Sequence, residues 1–215
     1  MNFSASIFDM DGLLIDSEKI ALRTFQEKCN DHALGDQFSL YQRILGTNDQ
    51  TTSTLLGEAL PDSIDHDLFM SEWLENYLFV TSSGVPLMKG VENLLDALAI
   101  REIPIAVATS TREDIAREKL LKSGILHRFD SVIGGNQIKN GKPAPDIYFK
   151  AAQSLNIDPE KCVALEDSPN GVRAAHAAGM HVIQIPELVE PTAELLSLNH
   201  MVLTDLDEVI SYLKL

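Results

Sequence analysis

Two carboxylates, Asp9 and Asp11, stand two residues apart before Gly12, at the end of a β-prone lead-in of Ala5, Ile7 and Phe8. A second pair, Glu166-Asp167, ends another apolar run, Val163-Ala164-Leu165, and is followed by Ser168 and Pro169. On an ideal strand Asp9 and Asp11 point the same way. Gly12 relaxes the backbone, so one acid can grip a metal while the other reaches a substrate. Aspartate is a weak nucleophile in water, but metal coordination and a dry site suit it to in-line attack on phosphorus. The second carboxyl can protonate a leaving alkoxide, then deprotonate the water that clears the phospho-enzyme. With Asp9, the Glu166-Asp167 pair makes a hard, all-oxygen site suited to Mg²⁺. Such acids at a buried edge repel one another unless a cation sits among them. Taken alone, the first pair reads equally well as a strand followed by an acidic turn.

Gly141-Lys142-Pro143-Ala144-Pro145-Asp146 supplies a cation on a rigid support, with two prolines stiffening the loop and Pro145 suited to a helix start. A fixed ammonium there can neutralise both a nucleophilic carboxylate and a transferring phosphoryl group. Lys139 is the nearest rival and lacks such a setting. Ala108-Thr109-Ser110 ends a further apolar run, and Thr111-Arg112-Glu113-Asp114 reads as a capping box opening a helix. Hydroxyls and N–H groups at a strand end suit a phosphate oxygen. By themselves they read better as helix caps.

Together these four stretches resemble the four motifs of the haloacid dehalogenase superfamily of phosphotransferases. The likeness covers nearly the whole chain and is closest to the branch of β-phosphoglucomutase and small sugar-phosphate phosphatases. It implies Asp9 as nucleophile, Asp11 as acid and base, and Thr109 and Lys142 holding the phosphate with the main chain at Met10, Asp11 and Ser110. It also implies Mg²⁺ on Asp9, the Asp11 carbonyl and Asp167, with Glu166 either a ligand or an acceptor reached through water. The substrate expected is a small phosphorylated metabolite, a sugar or polyol phosphate.

Those residues need a scaffold, and the rest of the pattern describes one. Strands are expected at 4–9, 103–108, 131–133, 162–165, 181–185 and 201–204, and helices at 90–101, 112–122, 145–155, 169–178 and 206–214. Short continuous apolar runs indicate strands buried on both faces, hence a Rossmann-like, doubly wound parallel α/β sheet with its acids at the carboxyl edge. Residues 17–83 read as all helix, at 17–29, 39–46 (stopped by Gly46), about 47–59 and 64–80. The expectation is a catalytic core of 1–16 and 84–215, with a helical cap of 17–83 on hinges near 12–16 and 81–86. A lid of this kind excludes water and reads the unreacting part of a substrate.

With 17 Lys and Arg against 32 Asp and Glu, the net charge is −15. That field repels nucleic acid and anionic membrane, and an anionic substrate needs a local cationic site. Cys29 and Cys162 show no metal spacing and suggest a reducing compartment. No signal peptide or membrane span is visible, so a cytoplasmic monomer is expected. The six histidines show no ligand spacing, and Trp73 and Tyr77 read as core of the helical part. Arg43 and Asn48 are positional guesses for substrate contact. The rival activities are a β-phosphoglucomutase-type mutase and a non-catalytic binder of phosphometabolites. The mutase pattern carries a histidine where this chain has Ala21, and a phosphate-gripping arginine where ungapped counting lands on Asp49. An acid there opposes a second phosphate by roughly 1–4 kcal/mol.

Overall fold

The computed structural model describes residues 3–45, 47 and 49–215, with the backbone alone for Asp49. In chain order the elements are β1 (Ala5–Phe8), α1 (Ser17–Asp31), α2 (Phe38–Ile44), α3 (Asp49–Ala59), α4 (His66–Val80), α5 (Val91–Ile100), β2 (Ile105–Thr109) and α6 (Glu113–Lys122). There follow β3 (Ser131–Gly134), α7 (Asp146–Ser154), β4 (Cys162–Glu166), α8 (Pro169–Ala177), β5 (His181–Gln184), α9 (Ala193–Leu196), β6 (Met201–Val202) and α10 (Leu206–Leu213). Two compact units result: one of Met1–Asp16 with Val85–Leu215, the other of Ser17–Gly84.

The first unit is built on a six-stranded parallel sheet in the order β3-β2-β1-β4-β5-β6. Every residue of β1, β2 and β4 is buried, as the unbroken apolar runs require when helices cover both faces. Ile7, Ala106, Ala108 and Ala164 pack with Tyr148, Ala151 and Ala152 of α7 and Val172, Ala174 and Ala175 of α8. Small residues there let the helices lie close. Register pairs Phe8 with Val107 and Leu165, so the ends of the three central strands are level. Asp9, Thr109 and Glu166 therefore reach one edge of the sheet. After β1 the chain doubles back, and the Met10 carbonyl accepts from the N–H groups of Leu14 (2.9 Å) and Ile15 (3.2 Å). Gly12 turns at φ +80°, a conformation that costs glycine little.

The second unit packs α1–α4 around an aromatic cluster. Phe25 meets Trp73 at 5.1 Å, Tyr41 at 5.4 Å and Phe69 at 5.9 Å between ring centroids. The Trp73 indole donates to the Ala21 carbonyl and to Thr24 Oγ1, both at 3.1 Å, so this half-buried tryptophan packs against the cluster through its ring and is tied to α1 through its N–H.

Several boundaries differ from expectation by a residue or two. β2 runs through Thr109 instead of stopping at Ala108, because its pairing with β3 continues to Gly134. β6 is confined to Met201–Val202, and the short α9 had no periodic signal to reveal it. The expected capping box at Thr111 is a correction. Arg112 is the N-cap and makes no side-chain cap bond, while the Glu113 N–H donates to Asn136 Oδ1. By contrast, Ser168 accepts from the Gly171 N–H, with Pro169 in the first turn. The Gly46 helix stop and Asn48 lie outside the described residues. Cys29 and Cys162 are buried free thiols, both pushed up to about 11 by burial. No described helix is long and apolar enough to cross a membrane.

Candidate active site

Lys142 is the hub of the sheet's carboxyl edge. Its loop runs into α7, and its ammonium donates to Asp9 Oδ1, to Glu166 Oε1 and, at 3.0 Å, to the Ala108 carbonyl. The side chain is 4% exposed, and the Tyr148 ring lies 5.2 Å from Nζ. Burial pulls this ammonium's pKa down, but the Asp9 and Glu166 carboxylates outweigh it and hold it above the usual lysine range. Opposite charges at close range thus keep a buried lysine ionised.

Glu166, wholly buried, has both oxygens engaged. Oε1 accepts from Lys142 and from the Tyr148 hydroxyl, and Oε2 from the Ser168 N–H (3.3 Å) and hydroxyl (3.1 Å). Four donors fill the capacity of a carboxylate. The carboxyl group rests against Gly171, where an added Cβ would come within 1.8 Å of it. Asp9, Glu166 and Asp167 each offer an oxygen within 4.8 Å of the others, and all three are buried. Burial drives the Asp9 carboxyl up to about 8, against the opposing pull of Lys142 and with Glu166 adding to the rise. The Asp167 carbonyl accepts from the buried Gln184 amide at 3.0 Å, and Gln184 Oε1 in turn meets His200 Nε2 at 2.8 Å.

Asp11 directs its carboxylate to α6 and the turn that leads into it. Oδ1 accepts from Lys119 of α6 at 2.8 Å, and Oδ2 accepts from the Thr111 hydroxyl at 2.7 Å, with Thr109 Oγ1 marginal at 3.5 Å. Thr109 is buried and its hydroxyl accepts from the Thr111 N–H at 3.1 Å, so it also shapes the turn into α6. Ser110 is exposed at the same strand end, and Met10 is buried with its carbonyl turned into the loop.

The structure thus brings Asp9, Lys142, Glu166 and Asp167 together, with Asp11 and Thr109 adjoining. Sequence reasoning missed Lys119, Thr111, Tyr148, Gln184 and the close approach at Gly171. Arg43, guessed as a substrate contact, is an exposed side chain 3.7 Å from Glu58 within the helical unit. A cluster of hard oxygen donors, burial, and a carboxyl pushed up by desolvation together suit a divalent cation.

The profile of the haloacid dehalogenase-like hydrolases matches residues 6–185. A phosphorylated carbohydrates phosphatase of Thermotoga maritima is 32% identical over 98% of both chains. Among solved structures, one from Thermotoga maritima, provisionally named a β-phosphoglucomutase, superposes with a TM-score of 0.80 at 32% identity over 98% of both chains. A haloacid dehalogenase family hydrolase from Deinococcus radiodurans, with bound phosphate and sodium, gives 0.83 at 26% identity, covering 99% of this chain and 95% of that one. The chain belongs to the haloacid dehalogenase-like hydrolases and is a phosphoric monoester hydrolase among them.

Proposed function

We propose that the chain hydrolyses a small phosphorylated metabolite, a sugar or polyol phosphate, through an aspartyl-phosphate at Asp9. The observation that carries this reading is the single buried ammonium of Lys142 bridging Asp9 and Glu166 beside Asp167. An Asp9 oxygen attacks phosphorus, the bond to the leaving oxygen breaks, and Asp11 gives that oxygen its proton. Water then attacks the phosphorus, Asp11 takes the water's proton, and the Asp9–phosphorus bond breaks to free phosphate. Lys142, Thr109 and the Ser110 and Met10 main chain hold the phosphoryl oxygens, whose charge peaks in the transition state.

Asp9, Asp167 and the Asp11 carbonyl are read as the ligands of Mg²⁺, which when bound would neutralise charge on the phosphoryl oxygens. Glu166, filled by its four protein donors, is read as the counter-ion that anchors Lys142. The helical unit Ser17–Gly84 is read as the cap that selects the substrate, and a cytoplasmic setting accords with the two buried thiols.

A phosphatase screen over phosphorylated metabolites, with and without Mg²⁺, tests the reading, together with Asp9→Asn. The variant is expected to stay folded and lose phosphate release by about 10³-fold or more. Retained turnover would exclude the aspartyl-phosphate route. The name carried by the Thermotoga maritima structure supports a mutase as the second reading. Ala21 and Asp49, where that activity wants a histidine and an arginine, speak against it. With β-glucose 1-phosphate and its bisphosphate activator, glucose 6-phosphate forming faster than free phosphate would reverse the ranking.

A further inference from the structure

A second lysine enters the site from a helix that the reaction scheme does not use. Lys119 sits near the end of α6, 108 residues after its partner Asp11, with side chains only 16% and 19% exposed. Lysines of exposed helices ordinarily stay in water or pair along the helix. The neighbours do so: Arg117 bonds Glu113 and Lys122 bonds Glu118, each four residues away, while Arg112 bonds Asp114. Lys119 has Ile115 and Ser123 at the equivalent places and reaches Asp11 instead.

The geometry has a direction. Lys119 holds Oδ1 at 2.8 Å and Thr111 holds Oδ2 at 2.7 Å. A carboxylate with one donor can swing about it, whereas donors on separate oxygens fix its plane and its torsion. Asp11 is only two residues from Asp9, yet the three oxygens that cluster with one another come from Asp9, Glu166 and Asp167. One lysine therefore serves the acid cluster, and the other serves the acid set apart from it.

We propose that Lys119, with Thr111, is a positioning residue for Asp11, fixing the carboxyl that passes a proton to the leaving oxygen. The inference rests on the aspartyl-phosphate reading above. A positioning role has a signature that a structural role lacks. An alkyl leaving group needs a proton as its bond breaks, whereas 4-nitrophenolate leaves without one. Misplacing Asp11 therefore slows departure of an alkyl leaving group and spares that of the activated aryl group, whereas the water step, which Asp11 serves as base, is common to both esters and does not enter kcat/KM.

The test measures kcat/KM, which reports the steps through departure of the leaving group, on 4-nitrophenyl phosphate and on glycerol 3-phosphate, or on whichever sugar phosphate the wild type turns over faster. Lys119→Met is expected to lower kcat/KM on the alkyl ester by about 10- to 100-fold. On the aryl ester the loss should stay within about threefold, because its leaving group draws little on general acid catalysis. Lys119→Arg should restore most of the alkyl rate. Thr111→Val, which keeps the lysine, should give the same split at smaller size, and decides the matter if Lys119→Met does not fold. Equal losses on both esters, or none, would overturn the role of Lys119 and leave the hydrolase reading standing. A wild type that releases phosphate from neither ester would instead remove the reading beneath both.

Discussion

Gly171→Ala puts one methyl group against the anchor of the whole site. An ideal Cβ at this position lies 1.8 Å from Glu166 Oε1, 1.9 Å from Cδ and 2.1 Å from Oε2. The carboxyl group would have to retreat by about 1.5 Å to reach ordinary contact. It cannot retreat freely, since Glu166 is fully buried and bound by Lys142, Tyr148 and Ser168. Alanine is favoured over glycine in a helix by about 1 kcal/mol, which pulls the other way. Overpacking costs about 1–3 kcal/mol, and one lost charge-assisted bond about 1.5–3 kcal/mol more. The clash wins, leaving a net loss of about 1.5–5 kcal/mol and, for a chain of this size, a fall in Tm of roughly 3–20 °C. Lys142 loses its counter-ion as Glu166 moves, so phosphate release should drop by about 100-fold. Thermal unfolding followed by circular dichroism, with kcat at saturating substrate, reads both. The pair Gly171→Ala with Glu166→Ala should be less damaged than the sum of the single changes, because the clash is gone once the long side chain is gone. A single variant within 2 °C of wild type and within about twofold of its rate would refute this account, since surface-like sites behave that way.

Tyr148→Phe removes the hydroxyl that donates to Glu166 inside the core, and should cost about 1.5–3 kcal/mol in urea unfolding with a smaller loss of rate; unchanged stability would show that bond to be idle. Burial holds the Asp9 carboxyl near 8 in the metal-free protein, so a cation must displace its proton at lower pH. Mg²⁺ affinity should therefore rise by about tenfold per pH unit from pH 6 to 8 and then level off, with proton release seen as buffer-dependent heats in calorimetry. A flat affinity over that range would count against a protonated Asp9. Gln184→Leu strips the amide from the Asp167 carbonyl and from His200, and is expected to weaken Mg²⁺ binding in the same titration, about 10-fold or more, as loss of an outer support does. Unaltered affinity would mean that the Asp167 turn holds itself.

The sheet and its order of strands and helices were legible because burial on both faces writes an unbroken apolar run. The acids at Asp9 and Glu166-Asp167 were legible for the same reason, as charge at the end of such a run is conspicuous. What escaped was decided across long separations. Lys119 carries no local mark, and helical spacing assigns it to a wet surface; its partner lies in another loop. Thr111 did carry a local mark, and it misled. A capping box is a local rule, and the carboxylate of Asp11 outbid the helix end for the hydroxyl. Tyr148 counted as an apolar position of α7, which it is by its ring but not by its hydroxyl. Pro169-Asn170-Gly171 reads as a helix start, and nothing nearby says that Glu166 needs the missing Cβ.

Charge explains why two lysines are spent on this edge. A chain of net charge −15 works against its own field in binding the phosphate dianion proposed for it, and cations such as Arg117 and Lys122 are surface groups paired with neighbours. Exposed pairs are screened and do little for a ligand. Lys142 and Lys119 are drawn inward, where water screens them less. Each is set against a different carboxylate, Asp9 proposed for attack and Asp11 for the proton. Two acids so near one another would otherwise compete for one proton or one cation, as like charges at close range do. An ammonium apiece lets both carboxylates stay in place side by side.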